Sequence, residues 1–122
     1  MLITNKQNTR RGMYRGFTTH LLVGEANSGS REISIQITDV EPGEMQFLHA
    51  HEQEQCYYII SGTGAMIVDD QTAEVQAGEA VFIPSNASHG IKNTGPDILI
   101  YLTANQPFGA QREQEIWPEE AS

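Results

Sequence analysis

GEMQFLHAHEQEQ, residues 43 to 55, sets His49, His51 and Gln55 at even spacings. On an extended strand residues i and i+2 face the same way, so His49 and His51 aim their imidazoles at one point and Gln55 keeps their parity. His89, from a later segment, would add a donor from another strand. Such a set closes one side of a metal coordination sphere and leaves the other open to water or substrate. Of the four histidines only His20 lies outside this pattern, and it reads as a hydrogen-bonded structural residue.

Reading outward from the histidines gives Gly43-x5-His49-x-His51-x3-Gln55-x6-Gly62, then Gly78-x5-Pro84-x-Asn86-x2-His89-x3-Asn93. These two strings resemble the paired motifs of the cupin superfamily, across Gly43 to Asn93. The resemblance is to a small single-domain cupin, a double-stranded β-helix or jelly-roll barrel, in which His49, His51, Gln55 and His89 hold one divalent transition metal. Two positions depart from the family pattern. Gln55 stands where a glutamate ligand is usual, and Asn86 stands where glycine is usual. The second change is mild, since asparagine tolerates positive φ better than most residues. The first exchanges an anionic oxygen donor for a neutral one of the same length.

The strand rhythm gives the same all-β architecture. Ile33, Ile35 and Ile37 alternate with Ser34, Gln36 and Thr38 before Glu41-Pro42-Gly43 breaks the run. Cys56 to Ile60, Ala65 to Val68, Val81 to Ile83 and Ile98 to Leu102 follow, each bounded by turn residues. Short strands at spacings of about ten residues fit a sandwich or barrel of jelly-roll type. No window reads as a long amphipathic helix. The 122 residues suit one domain, 1–122, with motifs at 43–62 and 78–93, an N-terminal arm over about 1–15 and an acidic tail over about 111–122.

A formal charge of −9 argues against nucleic acid and anionic membrane as partners, since both need a basic surface. No signal-peptide core or transmembrane run is evident, and the single cysteine, Cys56, forms no internal disulfide. A cytoplasmic location is expected. Alternation sets Cys56 opposite in parity to Gln55, as a buried thiol. Glu52 and Glu54 read as solvated loop positions.

Three neutral imidazoles and a neutral amide would leave a divalent ion its full charge, favouring anionic ligands. The nitrogen-rich set suits Fe, Ni, Zn, Mn or Cu better than Mg or Ca. Parity with the ligands places Met45, Phe47, Tyr57 and Ile91 on the inward face as a substrate-pocket lining, with Tyr57 as the catalytic proton donor or substrate anchor. The function expected is that of a metal-dependent enzyme acting on a small polar or anionic metabolite, as an isomerase, lyase or sugar ring-opening enzyme. A three-histidine Fe(II) dioxygenase and a non-catalytic small-ligand binding or sensing module are the alternatives. Cupins that open unsaturated uronate sugars share the His/His/Gln/His set, but they use an aspartate, a phenylalanine and an arginine near the last strand. Tyr101 to Phe108 offers no such trio. A homodimer is expected, because Phe17 to Val23, Ile116 and Trp117 carry apolar surface hard to hide in one copy. In that dimer an edge strand beginning at Met13 would complete a partner's sheet and bring Arg10, Arg11 and Arg15 across the interface.

Overall fold

A computed structural model describes residues 1–107. The acidic tail, with Ile116 and Trp117, and Phe108 lie outside the described residues. Strands run in the order β1 (Arg11–Tyr14), β2 (Phe17–Val23), β3 (Ser34–Val40), β4 (Met45–His49), β5 (Gln55–Ser61), β6 (Thr63–Val68), β7 (Gln71–Gln76), β8 (Ala80–Ile83), β9 (His89–Asn93) and β10 (Leu99–Asn105). A single helical turn, α1 (Glu25–Ser28), joins β2 to β3. Two antiparallel sheets face each other, one ordered β1-β2-β3-β10-β5-β8 and the other β4-β9-β6-β7. This is the jelly-roll architecture that the strand rhythm implies. Among the described residues no helix is long and apolar enough to cross a membrane.

The β3 alternation is present, but its polarity is inverted. Ser34, Gln36 and Thr38 are buried, whereas Ile35 and Ile37 are only half-buried and Ile33 is exposed. Cross-strand register explains this. On the inner face, rows run across β3, β10 and β5: Thr38, Tyr101 and Ile59, then Gln36, Thr103 and Tyr57, then Ser34, Asn105 and Gln55. One end of the interior is therefore a dry core, continued by Val40, Leu99 and Ile91, each fully buried, while the equally buried Ile83 pairs with Gln55. Burying each such side chain contributes about 1.5–3 kcal/mol. The other end is polar. The inner residues of β3 grade from apolar to polar as the strand approaches Gln55.

The outer face of the same strands carries the complementary pattern. Ile37, Leu102, Tyr58 and Ala80 form one row, and Ile35, Ala104, Cys56 and Phe82 form the next. None of the eight is charged, and Tyr58 and Phe82 are 48% and 55% exposed. Cys56 lies on the outer face as its parity requires, but it is exposed rather than buried. Its row belongs to a sheet surface that no described element covers.

Turn residues fall where the backbone demands them. Gly43, Gly62 and Gly78 take φ of 78°, 91° and 90°, and Asn86 takes 66°, the left-handed region expected at that position. At Gly62 a Cβ would also lie 3.0 Å from the Ile98 carbonyl oxygen. Asn93, the last residue of the second motif, is a staple: its Nδ2 donates to the carbonyls of Val40 and Asp97, and its Oδ1 accepts from Gly95 N–H. The strand expected from Met13 starts at Arg11 and pairs with β2 of its own chain, at one edge of the six-stranded sheet. Arg11 lies opposite His20, whose Nε2 is 3.4 Å from Asp39 Oδ2, and Lys6 Nζ binds Asp39 Oδ1 at 2.8 Å. His20 thus sits beside the Lys6–Asp39 ion pair, outside the cluster of the other three histidines.

Candidate metal centre

The polar end of the interior brings three histidines together. His49 pairs with His89 across β4 and β9, while His51 lies past the end of β4, in the segment leading to β5. The i, i+2 alternation on one strand therefore holds only as far as His49. The backbone of His51 is fixed instead by its carbonyl, which accepts from Asn86 N–H at 2.8 Å. One ring nitrogen from each of His49, His51 and His89 falls within 4.8 Å of the others, a cluster that fits a metal site. Ring centroids are 4.2 Å apart for His49 and His89, 4.8 Å for His51 and His89, and 5.5 Å for His49 and His51.

Each ring is oriented by a main-chain carbonyl. His49 Nδ1 is 3.0 Å from Phe47 O, His51 Nδ1 is 2.8 Å from Gln53 O, and His89 Nδ1 is 2.8 Å from Ala87 O. A carbonyl only accepts, so each Nδ1 carries a proton, and in a neutral ring the lone pair is left on Nε2. Burial lowers the His49 pKa, and burial together with the neighbouring His49 and His51 lowers that of His89 to about 4. His89 is therefore neutral at neutral pH.

Gln55, buried on β5, completes the group. Its Oε1 lies 3.1 Å from His89 Nε2, and its Nε2 donates to Asn105 Oδ1 at 3.1 Å. With the His89 proton on Nδ1, Oε1 and Nε2 meet as two acceptors. Two lone pairs at that distance repel in isolation, and a cation accepting both relieves the repulsion. The donor set accordingly fits a divalent transition metal.

A family model described as the cupin domain matches residues 36–105. The chain belongs to the cupin family. This cupin is 35% identical over 78 residues to an uncharacterized protein of Methanocaldococcus jannaschii, a match that spans 63% of this chain and 62% of that one. It is 33% identical over 96 residues to an oxalate-binding protein of Thermotoga maritima, covering 78% of each. Among solved structures it resembles the oxalate decarboxylase of Bacillus subtilis, a protein with Mn(II) centres. That match has a TM-score of 0.78 at 25% identity and covers 85% of this chain and 30% of the other.

The residues around the cluster differ in part from the parity reading of the sequence. The β4–β9 register shifts between Gln46 and His49. The irregularity pairs Gln46 with the fully buried Ile91, and Met45 with exposed Lys92. Gln46, not Met45, thus joins the inner face of this cupin. Its Oε1 accepts from the Tyr57 hydroxyl at 3.1 Å, and its Nε2 lies 3.4 Å from His49 Nδ1. That nitrogen's hydrogen is directed to the nearer Phe47 carbonyl. Tyr57 is 1% exposed and stacks on Tyr101, with ring centroids 4.8 Å apart. Burial, reinforced by Tyr101, raises its pKa well above the ordinary phenol value, so Tyr57 stays protonated. Phe47 is 55% exposed, with its ring 6.0 Å from that of His49 and 5.6 Å from that of Phe17. Tyr14 stacks on Phe17, which extends an aromatic wall from β1 to His49. Glu52 and Glu54 are exposed. Gln46 and Asn105 were not singled out in the sequence, because neither belongs to a motif and a strand irregularity has no signature in a single chain.

Proposed function

We propose that this cupin is a metal-dependent enzyme acting on a small carboxylate by Lewis-acid chemistry, with His49, His51, His89 and Gln55 holding one divalent transition metal. The observation that carries the reading is the meeting of Gln55 Oε1 and His89 Nε2 beside two further imidazoles. A metal held there supplies electrophilic polarisation of a bound anion, with no ligand carboxylate to offset its charge. The oxalate-binding and oxalate-decarboxylating relatives support a small dicarboxylate as the substrate class.

The surrounding side chains have separable roles in this proposal. Phe47 shields one flank of His49 and excludes water there. Ile91 keeps the floor dry, which strengthens every electrostatic contact made above it. Tyr57 gives its hydroxyl hydrogen to Gln46, and so acts behind the cluster by fixing the Gln46 amide. A second reading, a binder without turnover, is favoured by the oxalate-binding relative alone.

Protein loaded separately with Mn(II), Fe(II) under anaerobic conditions, Ni(II) or Zn(II) should bind oxalate or another small carboxylate in calorimetry. Chelation should abolish that binding. Turnover of the bound acid separates enzyme from binder. Absence of carboxylate binding with every metal, or binding that survives chelation, would sink the proposal.

We also infer a homodimer formed through the uncharged patch that β3, β10, β5 and β8 present on the outer face of the six-stranded sheet. A continuous apolar patch with two aromatic rings half-exposed suits the apolar centre of an interface. Antiparallel rows on one sheet face are self-complementary under a two-fold axis, which favours a second copy as the occupant.

A further inference from the structure

We propose that Asn105 is a positioning residue that sets which end of the Gln55 carboxamide faces the histidines; this rests on the metal reading above. A carboxamide has two nearly identical ends of opposite character. With oxygen inward Gln55 is a donor to a cation, and with nitrogen inward it repels one. Nothing on β5 itself makes the choice.

The choice is made by a directional chain of hydrogen bonds across two strands. Gln55 and Asn105 are register partners on β5 and β10. Asn105 Nδ2 donates to the main-chain carbonyl of Gln106 at 3.0 Å. That carbonyl only accepts, so it holds the Asn105 amide with Oδ1 turned away from it. Asn105 Oδ1 then accepts from Gln55 Nε2 at 3.1 Å, leaving Gln55 Oε1 directed at His89. Both side chains are buried, at 6% exposure each, so water offers little substitute for a lost partner. Flipping either amide sets oxygen against oxygen or nitrogen against nitrogen along the chain. The direction fixed at Gln106 is thus transmitted to the centre.

A glutamate at position 55 would need no such device, because its two oxygens are equivalent. Asn105 is in this sense the accompaniment of a glutamine in the ligand position. It touches neither substrate nor metal and acts only through Gln55.

The test is a set of Zn(II) affinities by calorimetry for the parent protein and Asn105→Leu, Asn105→Asp, Gln55→Leu, Gln55→Glu and the pair Gln55→Glu with Asn105→Leu. Asn105→Leu should weaken Zn(II) about tenfold, within the range for a residue that orients a metal ligand. Asn105→Asp, which keeps an acceptor, should recover most of that loss, and Asn105→Leu should change affinity less than about threefold in the glutamate background. An equal loss in both backgrounds, or no recovery with aspartate, would overturn the positioning role. Unchanged affinity in Gln55→Leu would instead show that Gln55 is no donor, which defeats the ligand assignment itself. If the variants fold poorly, side-chain amide NMR of the unsubstituted Zn(II) protein still decides: the Gln55 NH2 should exchange slowly with solvent. Exchange as fast as that of an exposed glutamine overturns the proposal.

Discussion

The side-chain oxygen of Gln55 and Nε2 of His89 approach to 3.1 Å with lone pairs on both atoms. A buried contact of this kind is unfavourable unless a cation shares it, so a metal bound there would be coupled to folding. Saturating Zn(II) or Mn(II) should raise the thermal midpoint, and EDTA should return it. His51→Ala should lower metal affinity at least about tenfold, because two strong donors make a poor chelate. Metal content unchanged in the double variant His51→Ala with His89→Ala would remove the site altogether.

Charge at position 55 sets the balance between metal and anion. Gln55→Glu should bind a divalent metal more tightly and bind oxalate or azide at least about tenfold more weakly. Two unit charges about 4 Å apart at an effective dielectric constant of about 20 interact by roughly 4 kcal/mol, more than enough for that loss. Calorimetric titration of both metal-loaded proteins with the same anion checks it; tighter anion binding by the glutamate variant contradicts the charge argument.

The histidine cluster should also make the metal-free fold sensitive to acid. His89 is held at about 4 against an ordinary 6.5, so the unfolded chain binds its proton more readily than the folded one. Stability from this residue is complete above pH 6.5 and lost as pH falls towards 4. His49 is shifted the same way. In EDTA the urea midpoint should fall across that window, and His89→Gln should flatten the slope. An equally steep fall in His89→Gln would assign the effect to the carboxylates instead.

Pairing through the outer sheet face predicts a particle of twice 13.5 kDa at micromolar concentration in sedimentation equilibrium. Placing like charges on the face, with Tyr58→Glu and Phe82→Glu together, should shift the mass to that of one chain while circular dichroism stays unchanged. A wild-type mass of 13.5 kDa excludes the dimer.

The sequence made the centre legible because its spacing is local. The clustered His49, His51 and His89 are legible from it, as is the positive φ at Asn86, since a glycine or asparagine at a fixed offset reports a backbone constraint directly. Strands β3, β5, β6, β8 and β10 were visible from turn punctuation. β7 was not, because all of it except Val75 is exposed and its composition reads as loop. Parity fails on β4, where the ladder is irregular. The shift between Gln46 and His49 reversed the lining of β4, and no residue in that stretch announces it. Burial of Cys56 was misjudged for a different reason: an apolar outer face looks like a core face when only one strand is read.

The carbonyl partners of the three imidazoles have one further consequence. Phe47, Gln53 and Ala87 each sit two positions from the histidine they orient, and they do so through the main chain. Ala87 is buried in the core, but replacing the side chain of the exposed Phe47 or the half-buried Gln53 leaves the oxygen in place. Mutational drift along the rim can therefore reshape what the cavity admits without disturbing ring geometry, which allows a lineage to change its preferred molecule while inheriting the same centre intact.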